Sequence, residues 1–218
     1  DELTLEMVTP EDRAIIHGHY CKDPRWDFRV GEGISARISE LLDRNPQKIA
    51  LAYSIMLTLP GTPIIYYGDE FARLNDESFY ENFKKETGKD DTRYFVRGPL
   101  NWDAIEAELA NPDSLTSQVN KTLKNLLSIR NQWPVFGRGD SQWAQFEIAD
   151  RTSNQKPVLA FFRSMPGQRV LILNNLSDKQ VTINAIDDPN IDYVNLFNGK
   201  PVEAPITLPP FGFVWLEA

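Results

Sequence analysis

The sequence predicts an α+β protein, in which a mostly helical part precedes a part built from short strands. Helix-starting signals recur before residue 138, whereas the apolar runs after Asp140 are short and separated by turn residues. Hydrophobic residues make up 41% and aromatic residues 11% of the 218 positions, which is enough apolar material to offset the chain entropy of folding. We therefore expect two domains, 1–138 and 139–218.

Three helices of the first part have recognisable starts. Thr9–Asp12, Asn45–Lys48 and Asn111–Ser114 each place a capping side chain directly before a proline. Apolar residues follow the second and third of these signals at helical spacing. Proline cannot continue a helix, so we expect the corresponding helices to end at Leu59–Gly61 and at Pro134.

A β-prone run, Thr62–Gly68, follows the second helix and has the character of a buried parallel strand. Residues 69–101 then form a long and highly charged connection. Within it we expect one helix near Ser78–Glu86 and a loop from Gly88 to Leu100. Connections of this length are usually functional or disordered.

The second part contains six candidate strands bounded by turn signals such as Pro166-Gly167 and Asn198-Gly199. Short strands at regular spacing favour an antiparallel sandwich. The candidates are Gln142–Ala149, Pro157–Arg163, Arg169–Leu173, Gln180–Asn184, Tyr193–Phe197 and Gly212–Leu216.

Charge and composition exclude several classes of partner. The formal net charge is −8, whereas proteins that bind nucleic acids typically carry a basic surface, so we expect no nucleic-acid partner. We expect no membrane partner either, because no run approaches the roughly 20 apolar residues of a bilayer span. The absence of a signal-peptide pattern and the single cysteine, Cys21, favour a cytoplasmic location.

Four segments resemble the α-amylase superfamily, glycoside hydrolase family 13, and they occur in the order of that family. Gly61–Glu70 resembles the segment at its eighth barrel strand. Asp1–Val8 resembles the residues that follow Asn-His after the seventh strand in the trehalose-synthase branch. Val96–Trp102 is similar to the family's Val-Arg-Thr-Pro-Met-Gln-Trp, and Leu208–Leu216 to the last strand of its C-terminal β domain.

The resemblance implies an α+β fragment from the carboxyl end of a larger enzyme. It would contain the end of a (β/α)8 barrel, namely the seventh-strand loop and the mostly helical eighth β/α unit, followed by an antiparallel C-terminal β-sandwich. The family uses three carboxylates in a retaining mechanism with an oxocarbenium-like transition state. Asp1 matches the third of these, the aspartate that steadies the sugar. The nucleophile and the acid/base would lie upstream, so we expect this chain to be inactive by itself.

The resemblance also implies substrate-binding roles for several charged residues, each with a simpler alternative. The candidates are Glu2, Asp69, Glu70, Arg93 and Arg97. Glu2 can equally be a solvated acid, and Asp69 and Glu70 can cap the following turn. Arginine can fork onto sugar hydroxyls or carboxylates, but it also forms ordinary surface ion pairs.

Two departures from the trehalose-synthase pattern fall where the specificity for the acceptor sugar is set. The segment Phe71–Lys89 is longer and more charged than the usual loop of that branch. Gly98, Leu100 and Asn101 replace its Thr, Met and Gln. The choice between isomerase and hydrolase therefore stays open.

Neither a metal site nor a cofactor is expected. His17, His19 and Cys21 are close in sequence, but residues two apart on a helix face different directions. A zinc site needs three or four converging ligands, which this spacing does not supply.

Two functions remain under consideration. The first is a part of an enzyme that acts on α-linked glucosides, by transglycosylation between maltose and trehalose or by hydrolysis of α-glucan. The alternative is a non-catalytic β domain, carbohydrate-binding or structural, with a helical docking segment. Exposed coplanar aromatics among Trp143, Phe161, Phe162 and Trp215 would favour sugar binding.

We also expect the chain to form a homo-oligomer. A barrel strand and its helix would leave apolar surface uncovered when their neighbours are absent. We expect four residues to lie near that contact or else to be disordered, namely Ile49, Tyr53, Ile64 and Ile65.

Overall fold

The computed structural model describes Leu5 and residues 7–149, 157–186 and 191–218. The chain divides into two compact units, each built from two stretches of sequence. The first unit comprises Asp1–Asn45 and Ile65–Asn120, and the second comprises Pro46–Ile64 and Lys121–Ala218. The domain boundary between residues 138 and 139 stays a prediction.

The described residues form seven α-helices. The helix starts expected at Pro10 and Pro46 are confirmed, whereas the third helix begins at Leu115, three residues after Pro112, and Ser114 Oγ accepts from the Ser117 amide at 3.0 Å. Thr9 caps the first helix, since its side chain accepts a hydrogen bond from the Asp12 amide at 3.2 Å. No helix in the described part of the chain is long and apolar enough to cross a membrane. The helices are α1 Pro10–Tyr20, α2 Ile38–Leu41, α3 Pro46–Thr58, α4 Glu77–Thr87, α5 Trp102–Ala110, α6 Leu115–Gln132 and α7 Val135–Arg138.

The expected buried strand at Thr62–Gly68 is not present. Residues 62–66 have no regular secondary structure, and the Ile64 side chain is 79% exposed. A strand is stabilised by hydrogen bonds to a neighbouring strand, and no described segment pairs with this run. Its β propensity alone therefore does not form a strand here.

The first unit is organised around a small aromatic core. A short antiparallel hairpin, β1 Asp27–Phe28 and β2 Gly33–Ile34, contributes the fully buried Ile34 to it. Tyr80 of α4 stacks on Phe95 with ring centroids 4.0 Å apart. The buried members of this core are Trp26, Ile34, Ala36, Tyr80, Phe95 and Val96.

The second unit contains two antiparallel sheets that contribute to one hydrophobic core. The six-stranded sheet has the order β3-β5-β6-β11-β8-β9, and the three-stranded sheet has the order β10-β7-β4. Leu171 and Leu173 from the larger sheet pack in the same core as Ile183 and Ile206 from the smaller one. The strands are β3 Asp140–Trp143, β4 Phe146–Ile148, β5 Val158–Met165, β6 Gln168–Asn175, β7 Val181–Ile186, β8 Tyr193–Asn195, β9 Pro201–Val202, β10 Ile206–Leu208 and β11 Phe213–Glu217.

Most of the expected strands are confirmed, with two differences. The run Gln142–Ala149 forms two strands, β3 and β4, which belong to different sheets. The chain changes sheet at Ala144 and Gln145, and a sequence pattern does not show such a crossing. Strands β9 and β10, of two and three residues, are not among the expected strands.

Helix α3 is joined to the six-stranded sheet by a buried polar network. The Trp215 indole Nε1 donates to Ser54 Oγ at 2.9 Å, and Ser54 Oγ donates to Asn174 Oδ1 at 2.8 Å. All three residues are fully buried. Buried polar groups cost stability when they lack partners, so this network favours one arrangement of α3 on the sheet.

Two arginines bind the carboxyl end of α3. Arg163 donates to the Thr58 carbonyl at 2.7 Å and to the Gly139 carbonyl at 2.6 Å, and Arg130 donates to the Leu57 carbonyl. Burial lowers the pKa of both guanidinium groups. The last carbonyls of a helix lack partners within the helix and carry partial negative charge, so cations are favourable there.

Candidate functional site

The charged residues expected to bind substrate lie in two segments of the first unit. Asp69 and Glu70 belong to a 3-10 turn at Asp69–Phe71, and Arg93 belongs to a second 3-10 turn at Thr92–Phe95. Arg97 lies two residues beyond the second turn. Asp1 and Glu2 are outside the described residues, so their roles stay predictions.

A glycine places Asp69 and Glu70. Gly68 precedes the turn with a φ of +89°, a conformation that residues with a Cβ rarely adopt. The Phe71 amide donates to the Gly68 carbonyl at 3.0 Å and closes the turn. Asp69 and Glu70 are therefore the first two residues of a tight turn whose backbone is held by this hydrogen bond.

The centre of this region is Arg37, a residue that our sequence analysis did not single out. Its side chain is only 2% exposed and lies beside Asp69. The guanidinium Nη1 donates to Asp69 Oδ1 at 3.1 Å and to the Tyr67 carbonyl at 2.6 Å, and Nη2 donates to the Val96 carbonyl. The only signal in the sequence is one arginine within the otherwise uncharged run Gly33–Ser39.

Arg37 also lies against two aromatic rings. Its Cζ atom is 4.8 Å from the ring centroid of Tyr66 and 5.0 Å from that of Tyr67. A guanidinium at such a distance is attracted by the negative face of the ring. Tyr66 and Tyr67, considered above as part of a strand, thus help to hold a buried cation.

The two carboxylates of the turn lie in a poorly solvated environment. Burial raises the pKa of the Asp69 carboxyl above its usual range, the Arg37 guanidinium acts in the opposite direction, and Glu70 adds to the rise. Oε2 of Glu70 is buried and has no hydrogen-bond partner among the described residues. Carboxylates that are costly to bury are typical of binding and catalytic sites.

The second segment lies next to this turn. Tyr67 Oη donates to the Gly98 carbonyl at 3.1 Å, and the Arg37 amide donates to Asn75 Oδ1 at 2.8 Å. A Cβ at Gly98 would be 2.5 Å from Asp76 Oδ2, so the backbone and the Asp76 side chain approach closely there. The segment Val96–Gly98 is thereby fixed against the turn.

Arg93 and Arg97 differ in what surrounds them. Arg93 forks onto Asp91, with Nε and Nη2 each 2.8 Å from a carboxylate oxygen, and these bonds lower the pKa of Asp91. This is the ion pair that the sequence left open as an alternative. The positive charge of Arg97 acts on both Asp91 and Tyr66 and favours the charged form of each. A role in substrate binding stays a prediction for both arginines.

The charged segment Phe71–Lys89 contains α4, Glu77–Thr87, as expected for the helix near Ser78–Glu86. Phe83 and Phe79 of α4 stack on Tyr94, with ring centroids 3.4 Å and 5.6 Å apart. Lys84 Nζ donates to Asp90 Oδ2 at 2.7 Å. The helix therefore packs on the 3-10 turn that precedes Val96–Gly98.

Of the four aromatics considered for sugar binding in the second unit, Trp143 is 68% exposed, and the other three are buried. Trp143 lies edge-on to Phe161 with ring centroids 6.2 Å apart. Two coplanar exposed rings are therefore not present among these four residues. In the first unit, Trp102 is 55% exposed and lies edge-on to Phe71 at 5.8 Å.

The residues considered for a metal site are engaged otherwise. His17 Nε2 lies 3.1 Å from Asp27 Oδ1, and the thiol of Cys21 lies 3.4 Å from the Asp23 carbonyl oxygen. No group of three or more His, Cys, Asp or Glu with metal-binding geometry occurs within residues 7–149, 157–186 and 191–218.

Known proteins match the sequence along its whole length. Residues 151–215 match the family model described as maltogenic amylase, C-terminal domain. The trehalose synthase of Pimelobacter sp. (strain R48) is 32% identical, over 100% of this chain and 41% of that protein. The trehalose synthase of Thermus thermophilus is 33% identical, over 98% of this chain and 24% of that protein. The crystal structure of the α-amylase from H. orenii matches with a TM-score of 0.53 and 26% identity, over 84% of this chain and 38% of that one.

These matches show that the chain belongs to the α-amylase family. Within the family it is a C-terminal part of a trehalose-synthase-like protein, as the four sequence segments had indicated. The chain spans less than half of the length of these relatives. An α+β fold with antiparallel sheets is confirmed, whereas its description as the end of a (β/α)8 barrel stays a prediction.

Proposed function

We propose that this chain is the C-terminal part of a retaining enzyme that acts on α-glucosides. The reaction would be transglycosylation between maltose and trehalose or hydrolysis of α-glucan. The observation that carries the proposal is the similarity of the entire chain to trehalose synthases, including every segment that holds a candidate site residue. The compact cluster of Arg37, Asp69 and Glu70 supports it, because partly desolvated charged groups suit sugar hydroxyls.

Six residues of this chain take part in the proposed reaction. Asp1 is the carboxylate that steadies the sugar as positive charge develops, and Glu2, Asp69, Glu70, Arg93 and Arg97 contact substrate. Retaining chemistry also requires a nucleophile and an acid/base. We propose that these two residues lie in a part of the enzyme that this chain does not span, and that the chain alone is inactive. The coverage of only 41% of the Pimelobacter relative supports this proposal.

The test has two arms. The purified chain is assayed with maltose, trehalose and an aryl α-glucoside, and no turnover above buffer is expected. The matching C-terminal part of the Pimelobacter trehalose synthase is then replaced by this chain. Turnover of maltose or trehalose by the chimera, lost when its Asp1 is changed to Asn, is the expected result. Turnover by the chain alone would contradict the proposed inactivity, and a folded chimera without any activity would contradict the assignment.

The alternative is a non-catalytic module that binds glucan through the second unit. One observation favours it, namely the exposed indole of Trp143. Co-sedimentation of the chain with insoluble starch, abolished by Trp143→Ala and retained by the buried-neighbour control Phe161→Leu, would support this alternative. We expect no co-sedimentation, since a single aromatic ring gives only weak stacking on a sugar.

We further propose that the chain forms a homo-oligomer and has a cytoplasmic location. Ile64 supports an apolar contact, because its side chain is 79% exposed. Ile49 and Tyr53, expected at the same contact, are buried within the chain and do not support it. Sedimentation equilibrium of the chain and of Ile64→Asp is the test. A monomer in both cases at high concentration would contradict the proposed oligomer.

A further inference from the structure

The side chain of Arg37 connects segments of the first unit that are far apart in the sequence. Three segments meet at its side chain, namely the residue's own run Ser35–Ile38, the turn Tyr67–Glu70 and the segment Val96–Gly98. Two of these segments carry candidate substrate-binding residues.

We propose that Arg37 is the positioning residue of this site, which sets the distance between the Asp69–Glu70 turn and the Val96–Gly98 segment for binding of one α-glucoside. The inference rests on the proposed function, since it names the residue that arranges the same site. Arg37 is not assigned a contact with the sugar. It acts through Asp69 and through the backbone carbonyls of Tyr67 and Val96.

The geometry requires an arginine specifically. The Nη1 atom donates hydrogen bonds to the Tyr67 carbonyl and the Asp69 carboxylate on the turn. The Nη2 atom donates a hydrogen bond to the Val96 carbonyl on the other segment. The planar guanidinium fixes the angle between these directions, whereas the single ammonium of lysine does not. The rings of Tyr66 and Tyr67 at 4.8 Å and 5.0 Å further restrict the plane of the group.

Stability alone does not account for this arrangement. A guanidinium that is 98% buried loses its hydration, and Nε of Arg37 has no hydrogen-bond partner among the described residues. Apolar packing would fill such a position at lower cost. The arginine instead bridges two loop segments, which are also joined by the hydrogen bond from Tyr67 Oη to the Gly98 carbonyl.

A second buried arginine provides a matched control. Arg163 in the second unit is 1% exposed, donates to two backbone carbonyls and also has an unpartnered Nε. No candidate site residue contacts it through the hydrogen bonds of its guanidinium. Arg163→Met therefore reproduces the loss of a buried arginine without disturbing the proposed site.

The experiment is a titration of the full 218-residue chain with maltose, followed by the amide signals of Asp69, Phe71, Val96 and Gly98. We expect binding to be about tenfold weaker in Arg37→Met, because charge-assisted hydrogen bonds to both segments are lost. Arg37→Lys keeps the positive charge beside Asp69 but loses the two separate donor nitrogens of the guanidinium. Its affinity for maltose is therefore expected to lie between those of the unchanged chain and Arg37→Met. Arg163→Met is expected to bind like the unchanged chain, even where its thermal stability falls as much as that of Arg37→Met.

Three results would overturn the proposal. Unchanged affinity in Arg37→Met, or in Arg37→Lys if the methionine variant does not fold, would show that the guanidinium positions nothing. Equal weakening in Arg37→Met and Arg163→Met would show a purely structural effect. Absence of maltose binding by the unchanged chain would contradict the site in the proposed function itself, and with it any positioning role. Weakening confined to the Arg37 variants supports the proposal.

Discussion

The Asp69 carboxylate is a group that the fold accommodates at a cost. Burial raises its pKa although Arg37 lies 3.1 Å away. A folded-state pKa above the unfolded value means that the native state holds the proton more tightly. The charged form of Asp69 therefore lowers stability at neutral pH, and the residue is better explained by a binding role than by stability.

The first prediction concerns the pH dependence of this carboxylate. Asp69 lowers stability as the pH rises from its ordinary pKa of about 3.9 through its raised native pKa. Asp69→Asn is expected to retain or slightly increase stability at about pH 7 and to remove this part of the pH slope. Arg37→Met removes the opposing charge and is expected to destabilise more at about pH 7 than at about pH 4. Urea unfolding of each variant at the two pH values measures this, and a marked loss of stability in Asp69→Asn at neutral pH would contradict the argument.

The second prediction concerns Gly98. An added methyl group would lie 2.5 Å from Asp76 Oδ2 and 3.2 Å from its Cβ and Cγ, and Asp76 Oδ1 caps α4 by accepting from the Phe79 amide at 2.9 Å. Gly98→Ala is therefore expected to cost about 2 kcal/mol, since relief of the clash disturbs the cap.

Gly18 is the matched control for this substitution. It lies inside α1, where an added Cβ meets nothing within 4 Å. Gly18→Ala is expected to stabilise by about 0.5–1 kcal/mol through helix propensity. Thermal or urea unfolding compares the stability of the two variants. Equal effects of both substitutions would show that the close approach at Gly98 does not affect the free energy of unfolding.

At the scale of elements, α4 determines how the candidate site is supported. Its sequence predicts a helix, but only the structure shows that its aromatic face packs on the 3-10 turn Thr92–Phe95. Helix α5 was not predicted, although Asn101 caps it by accepting from the Ala104 amide at 3.1 Å. That asparagine was considered as a replacement within a family motif, and its capping role depends on the backbone that follows.

The third prediction concerns the packing of α4. Tyr80 is buried, stacks on Phe95 and donates to Asp90. Tyr80→Ala is expected to cost about 3–5 kcal/mol and to increase hydrogen exchange at the amides of Thr92–Phe95. Lys85→Ala, on the exposed surface of the same helix, is expected to change stability by less than about 0.5 kcal/mol. Unchanged exchange at the turn in Tyr80→Ala would show that α4 does not support it.

At the scale of the whole molecule, segments of similar β propensity differ in whether their backbone pairs with a neighbouring strand. Strand β6 is paired on both sides, with β5 and with β11, and Val170–Leu173 are fully buried. The segment Ile64–Tyr67 has no strand partner among the described residues. Local stability follows such differences in hydrogen bonding and burial.

The fourth prediction follows from that difference. Amides of Val170–Leu173 are expected to exchange only through global unfolding of the second unit, whereas those of Ile64–Tyr67 exchange through local opening. Native-state hydrogen exchange at increasing denaturant measures both. Equal protection of the two segments would contradict this prediction and would indicate that a strand partner, such as a second copy, covers Ile64–Tyr67.

The sequence by itself determined the starts of α1 and α3, most strands of the second unit and the family, because capping residues, alternating apolar runs and motifs are local in the chain. Tertiary structure decided the rest. Whether Thr62–Gly68 forms a strand depends on a neighbouring strand, and the break between β3 and β4 depends on which sheet each joins. The role of Arg37 depends on carbonyls of Tyr67 and Val96, 30 and 59 positions away. No local pattern encodes such contacts, since they exist only when distant segments have packed around the buried charge.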